Sequence, residues 1–323
     1  MQSAASSSAS DKRKVGILLW LERSSWPELR KAILAAEDAE LDSFWCSDHL
    51  LAPSGPWQDA TFEAWTILAA AAALTSAMSV GALVSAVGFR NPGLLAKMAT
   101  TVDHVSAGRL VLGLGAGWLE HEHVAHGFAF GTPSARLEQL AEAIQVIQAI
   151  HTGAIIDHHG PSYEIGPISQ HPPPVQGRLP LLIGGEGRHK TLRLVAERAD
   201  MWNARGSATR LAELDAILRR HCDAIGRDPS EIERLTNRWV VLRDDPAEAR
   251  RAFESSLARH SIVSYDDAIV VLGSPADAAH QLASTVQSGF GHIVCSILDA
   301  TDLESISRLG EMREWLHEIA QVK

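Results

Sequence analysis

Cysteine is scarce and unpaired in this chain. Cys46, Cys222 and Cys295 stand far apart without C-x-x-C spacing. That excludes a disulfide framework or a structural zinc site and fits a reducing, cytoplasmic setting. No uncharged apolar run reaches the roughly 18–20 residues that a membrane helix needs. The longest candidate, 66–82, is Ala-rich and reads as a buried helix followed by a strand. The opening stretch MQSAASSSASDKRK lacks the apolar core of a secretory signal and reads as a disordered Ser/Ala-rich tail over 1–13. Positive charge is in deficit as well: 29 Lys and Arg stand against 39 Asp and Glu, a formal net charge of −10. Nucleic acid and anionic membrane are therefore poor general partners, which leaves a small-molecule substrate.

What is present is a repeated theme: a short apolar run, a polar or Gly-rich loop, then an amphipathic stretch. Apolar runs at 15–20, 42–47, 79–84, 109–115, 180–185, 200–204, 235–243 and 292–297 read as strands. Helical patterns fall near 27–40, 61–76, 91–106, 134–151, 188–198, 208–226, 275–288 and 302–321. Strands apolar on both faces, alternating with helices, imply a parallel sheet covered by helices, and eight such units imply closure into a (β/α)8 TIM barrel. An open doubly wound sheet is the competing architecture, but it wants a Gly-rich loop after the first strand, which is missing. Insertions follow strands four and seven. Residues 152–178 read as a loop with a short hairpin. Residues 244–274 read as one helix (246–259) and an irregular stretch. Neither resembles a linker, so 14–323 reads as a single domain, with the insertions as candidate lids.

Barrel chemistry sits at the C-terminal ends of the strands. Strand two ends in Asp48-His49, where a histidine suits proton transfer and Asp48 suits orienting it or accepting from a cofactor; loop capping and packing is the structural alternative. Strand three runs into Ser85 and on to Arg90-Asn91-Pro92. Asn91 and Pro92 fit a helix start, and Arg90 is left for an anionic group. Strand four ends in GLGAGW, whose glycines allow close backbone approach to a ring or phosphate, with Trp118 at the rim as a stacking or merely packed aromatic. Strand five ends in Gly184-Gly185-Glu186-Gly187, read with a helix starting at Arg188 as a phosphate cradle; a tight turn is the alternative. Strand six ends in Ala204-Arg205-Gly206, a second cationic arm. The cluster Glu120-His121-Glu122-His123 with His126 misses H-E-x-x-H and reads as a solvated face, as does Asp157-His158-His159, so no metal is expected. Arg109 begins strand four on the opposite, stabilising face of the barrel.

Three blocks in this order and spacing, LDSFWCSDHL (41–50), the run from Gly81 to His123, and PLLIGGEGRHKTLRLVAERADMWNA (180–204), resemble the bacterial luciferase-like superfamily, specifically its coenzyme F-420-dependent branch. The resemblance implies a luciferase-like barrel binding the deazaflavin coenzyme F-420, with FMN as the alternative. It places His49 as the proton-handling group and Asp48 beside the ring, and a bulge with a non-prolyl cis peptide near Ala82-Leu83 behind it. Gly115, Ala116 and Gly117 fall near the ring and side chain; Gly184, Gly185, Glu186, Gly187, Ala204 and Arg205 fall at the phosphate. Ser85 and Trp118 complete the expected cofactor shell. The implied reaction is hydride transfer between coenzyme F-420 and a C=C, C=N, C=O or alcohol group. The alternatives are an FMN-dependent monooxygenase using reduced flavin and O2, and a non-catalytic flavin-binding protein. Sugar-phosphate dehydrogenases of the family carry Glu where Trp118 stands, which speaks against that activity. Relatives are often dimers, and the Ala-rich helix at 64–74 suits a homodimer contact.

Overall fold

The computed structural model describes residues 13–321; the expected disordered tail lies outside the described residues apart from Arg13. Eight parallel strands close on themselves: β1 (Lys14–Leu19), β2 (Ser43–Cys46), β3 (Ser79–Ala82), β4 (Leu110–Gly115), β5 (Leu181–Gly184), β6 (Met201–Asn203), β7 (Glu233–Leu242) and β8 (His292–Ile297). The seam is made by β6 with β7, in the register Glu233 to Met201. Each strand runs into a helix packed on the outside: α1 (Trp26–Asp38), α2 (Ala64–Leu74), α3 (Pro92–Val105), α5 (Pro133–His151) after the short α4 (Glu120–Ala125), α6 (Thr191–Arg198), α7 (Ala208–Ile225), α9 (Pro275–Gln287) after α8 (Pro246–Arg259), and α10 (Leu303–Gln321). This is the expected (β/α)8 barrel.

Strand alternation sorts the side chains into two shells. On β1, Val15, Ile17 and Leu19 pack outward under the helices, whereas Leu18 joins an inner plug with Trp45, Val111, Leu182, Met201, Leu235 and Val294. Below the plug lies a continuous chain of polar contacts. Trp45 Nε1 donates to Ser43 Oγ (2.8 Å), Ser43 meets His292 Nε2 (2.8 Å), His292 Nδ1 donates to Glu233 (2.7 Å), and Lys14 Nζ donates to the other Glu233 oxygen (2.8 Å). Every member has a partner, so the barrel floor is a structural element. Arg109 serves the same end: it donates to the Ala72, Thr75 and Met78 carbonyls at the C-terminus of α2.

The insertions depart from the sequence reading in detail. The 152–178 segment carries the expected hairpin, Ile156–His159 against Glu164–Ile168. Its turn is held by Glu142 on α5, which accepts from the Ser162 and Tyr163 amides and from His158. In the 244–274 segment α8 falls where expected. The stretch read as irregular ends instead in a strand, Val270–Gly273, added parallel to the exposed end of β7. The sequence VVLG is short enough to read as loop, and only the unpaired edge of the long β7 makes it a strand.

Candidate active site at the barrel mouth

Above the inner plug the barrel interior changes character. The inward positions at the strand tips are Ser47, Gly115, Gly184, Asn203 and Ser296. The loop after β3 crosses this opening, placing Leu83 and Val84, both half-buried, against the plug from above. A Cβ on Gly115 would stand 2.5 Å from Val84 Cγ2, and one on Gly184 3.0 Å from Val84 Cγ1. These two glycines therefore make room for Val84, and Val84 with Leu83 forms an apolar floor at the mouth. The cis peptide bond lies between Leu83 and Val84, one residue beyond the expected place.

His49 lies at the same end of the barrel, in the loop that follows β2. Its Nδ1–H donates to Glu122 Oε1 at 3.0 Å, and Glu122 Oε2 accepts from the Leu50 amide at 2.9 Å. Burial disfavours the charged imidazole, yet the hydrogen bond and charge of Glu122, with Glu22 and Asp48 behind it, raise His49 above the ordinary histidine range. Glu122 is thus the orienting partner, a part the sequence reading offered to Asp48. The reading of 120–126 as a solvated face fails for two residues. Glu120 and His121 are exposed, but Glu122 and His123 are buried, because that side of α4 packs on the loop after β2 and on Phe89. Among the described residues no group of three or more metal-ligating side chains converges.

Asp48 is locked elsewhere. Arg90 grips it with two hydrogen bonds, 2.6 and 3.0 Å, and reaches Glu63, the N-cap of α2, with its remaining edge. Both neighbours push the arginine further towards its charged form against burial. Arg90 is therefore not free for an incoming anion, contrary to the sequence reading; the pair fixes the β2 and β3 loops to each other. Trp118 is 64% exposed, with its ring edge-on to His49 at 5.5 Å. Trp57, from the β2 loop, stands exposed beside His121 at 5.7 Å. The rim on this side is aromatic.

The other expected residues divide. Gly117, at positive φ, and half-buried Ala116 lie on the turn after β4. The side chains of Ala82 and Ala204 pack in the outer shell, so only their backbones reach the mouth. Ser85 is fully buried and its hydroxyl accepts from Trp65 Nε1 on α2 at 2.9 Å. At the opposite side of the mouth Gly185 and Gly206 take positive φ and the 184–187 and 204–206 turns face each other. Glu186 ties them, accepting from the Arg205 amide (3.0 Å) and from Arg210 (2.6 Å). The helix begins at Thr191, not Arg188, and Arg188 points to Glu213 on the outer surface. Arg238, which the sequence reading passed over because it lies inside a strand, is buried behind Gly206. It donates to the Gly206 carbonyl (3.0 Å), Thr236 (2.6 Å) and Thr285 (3.2 Å), none of them a carboxylate. Burial brings it down to about 10, against the pull of the Asp266 carboxylate, so it is still a cation at neutral pH.

The mouth also holds buried polar atoms without partners: both oxygens of Glu22, Ser47 Oγ, Asn203 Nδ2 and Ser296 Oγ. Native interiors rarely leave such atoms bare unless a ligand or water meets them. Together with an apolar floor and two glycine turns backed by a cation, this donor and acceptor set fits a flat heterocycle carrying a phosphate-bearing side chain. A hollow of about 290 Å³ exists elsewhere, outside the barrel wall between Leu112, Leu114, Leu181, Ile144 and Ile147, but it brings no acid–base pair together.

The family model of luciferase-like monooxygenases matches residues 11–289. An uncharacterized protein of Mycobacterium tuberculosis is 33% identical over 168 residues, which cover 52% of this chain and 58% of that protein. The chain thus spans little more than half the length of that curated relative. F420-dependent hydroxymycolic acid dehydrogenase of the same organism is 29% identical over 244 residues, covering 74% of this chain and 66% of that protein. Among solved structures, an F420-dependent secondary alcohol dehydrogenase in complex with an F420-acetone adduct superposes with a TM-score of 0.82 at 18% identity, covering 94% of this chain and 99% of that one. The FMN-bound oxygenating constituent of 3,6-diketocamphane monooxygenase from Pseudomonas putida does so with 0.77 at 17% identity, covering 93% and 98%. At these identities the structures share the fold.

Proposed function

The chain belongs to the luciferase-like monooxygenase family, F420-dependent and FMN-bound enzymes stand among the proteins named above, and from that premise we propose that it is an oxidoreductase moving a hydride between coenzyme F-420 and a C=C, C=N, C=O or alcohol group of a small organic substrate. The observation that carries this reading is that one barrel mouth holds the His49–Glu122 pair, the Leu83–Val84 floor and a set of buried polar atoms that have no partner in the protein. When bound, the deazaflavin supplies the ring carbon that gives or takes the hydride. The chain supplies the rest. Leu83 and Val84 would support the ring and exclude water there. Ser47, Asn203 and Ser296 offer hydrogen bonds to ring heteroatoms. The 184–187 and 204–206 turns, with Arg205, would hold the phosphate, and Arg238 behind Gly206 would add positive charge. Glu122 favours the charged form of His49, in which Nε2–H would donate to an oxygen that gains electron density. The exposed aromatic rim of Trp57 and Trp118 favours an apolar substrate body.

A second reading, FMN-dependent monooxygenation, is supported by the fold shared with the FMN-bound diketocamphane enzyme. Anaerobic titration with each reduced cofactor separates the two. Saturable binding of reduced coenzyme F-420, reoxidised by an added carbonyl compound without oxygen uptake, is the expected result. Tight FMN binding with substrate-dependent oxygen consumption overturns it.

A further inference from the structure

The two turns that face each other at the barrel mouth lead outward into a second feature, which the mechanism above does not use. Gly187 passes into Arg188 and His189, and the 204–206 turn passes into α7. These two segments wall a hollow of about 380 Å³ lined by Arg188, His189, Ile217, Arg220 and His221. Ile217, Arg220 and His221 stand at i, i+3 and i+4 and so share one face of α7. His221 Nε2–H donates to the Arg188 carbonyl at 2.9 Å and fastens the segment after Gly187 to that face. Two guanidinium groups and two imidazoles thus surround one apolar side chain.

Such a cluster stands out in a chain whose formal net charge is −10. The neighbouring cations are neutralised within the protein: Lys190 by Glu138, Arg193 by Glu197 and Arg219 by Asp215. Among the described residues His189 and Arg220 form no ion pair, and Arg188 reaches Glu213 only at 3.5 Å. Glu213 lies one turn before Ile217 on the same face of α7. Glu186, the carboxylate at the turns, is taken up by Arg210 and the Arg205 amide. Two guanidinium groups against the one carboxylate of Glu213 leave positive charge at the hollow.

The hollow is too far from the turns to share their ligand group. Arg210, in the first turn of α7, grips Glu186 at 2.6 Å. Arg220 lies ~15 Å further along the helix at a rise of about 1.5 Å per residue. A phosphate at the turns does not span that distance, but an extended chain trailing from it does. FMN ends at its phosphate, whereas coenzyme F-420 continues past it into a chain of glutamates. We propose that the hollow binds the carboxylates of that glutamate chain, with Arg188 and Arg220 pairing with them, His189 donating an N–H and Ile217 packing the methylenes. The inference deepens the hydride-transfer reading and rests on it: the protein tells the deazaflavin from FMN at their tails as well as at their rings.

Fluorescence titration of the full chain with coenzyme F-420 and with the same deazaflavin trimmed back to its phosphate tests this by affinity alone. The tailed compound is expected to bind about tenfold more tightly at low salt, from two exposed ion pairs, and by less than about twofold at about 0.5 M salt, where exposed charges are screened. The double variant Arg188→Gln/Arg220→Gln is expected to lose that preference and to bind the trimmed compound as the wild type does. Arg193→Gln/Arg198→Gln, which removes the same charge from α6 outside the hollow, is expected to keep it. Equal affinity of the wild type for the two compounds overturns the tail site and leaves the hydride-transfer reading standing. A preference that survives in the first double variant, or is lost equally in the second, also overturns it. If neither deazaflavin binds, the hydride-transfer reading fails and the tail site falls with it.

Discussion

The two ends of the barrel interior are built from the same kinds of residue and behave oppositely. At the floor, Ser43, His292, Glu233 and Lys14 form a chain of contacts in which each polar atom has a partner inside the protein. At the mouth, Glu22, Ser47, Asn203 and Ser296 sit on the same inward alternation and have none. Burial is similar at both ends, so burial alone does not mark function. The difference is whether the polar groups are satisfied from within, and an unsatisfied set on a rigid frame is what a bound ring can complete.

Substitution at the mouth is the most forceful way to break this comparison. His49→Ala is expected to lower turnover by about 10²–10³ with little loss of melting temperature, measured by stopped-flow reoxidation beside a thermal melt. A large loss of stability would place His49 with the floor residues. His292→Ala should do the reverse: about 2–3 kcal/mol less stable in urea unfolding, because Ser43 and Glu233 lose their shared partner, with cofactor affinity unchanged. The floor also has a pH signature. Burial opposes the Glu233 charge, but His292 and Lys14 hold its carboxyl down to about 2. The folded value lies below the unfolded one, so its contribution is present above pH about 4.5 and is lost as pH falls towards 2. Acid unfolding of Glu233→Gln should lack that part of the slope.

A smaller effect is expected from Gly115→Ala, which drives a methyl into Val84: about 1–2 kcal/mol of stability and weaker cofactor binding, both partly restored by adding Val84→Ala. Loss of stability without loss of binding would separate the floor at Val84 from the ligand. Trp118→Ala, at the exposed rim, should change the apparent KM for an apolar substrate by only a few-fold and leave cofactor binding and stability as they were.

The sequence carried the barrel well, because parallel strands buried on both faces show as plain apolar runs and their helices as amphipathic stretches between them. It carried Asp48-His49 and the two glycine turns because barrel chemistry gathers at strand tips. It did not carry the partners. That Arg90 belongs to Asp48 and Glu63, and Glu122 to His49, depends on contacts 27 to 73 positions apart, which local spacing does not encode. Glu122 and His123 looked solvated because alternating charge on a helix of one and a half turns gives no periodicity to read. Glu22 looked like loop polarity in WLERSS, and only the inward alternation continuing past β1 buries it. The one available signal was position: Glu122 sits in the first turn of the helix leaving strand four.

The central claim, that the unsatisfied mouth is completed by a planar redox ring, is tested most directly by a crystal structure of the protein with coenzyme F-420. The account predicts the ring resting on Leu83 and Val84, with His49 over its reactive edge and its heteroatoms within hydrogen-bond reach of Ser47, Asn203 and Ser296. A cofactor found outside the barrel mouth, with those atoms still unpartnered, contradicts it.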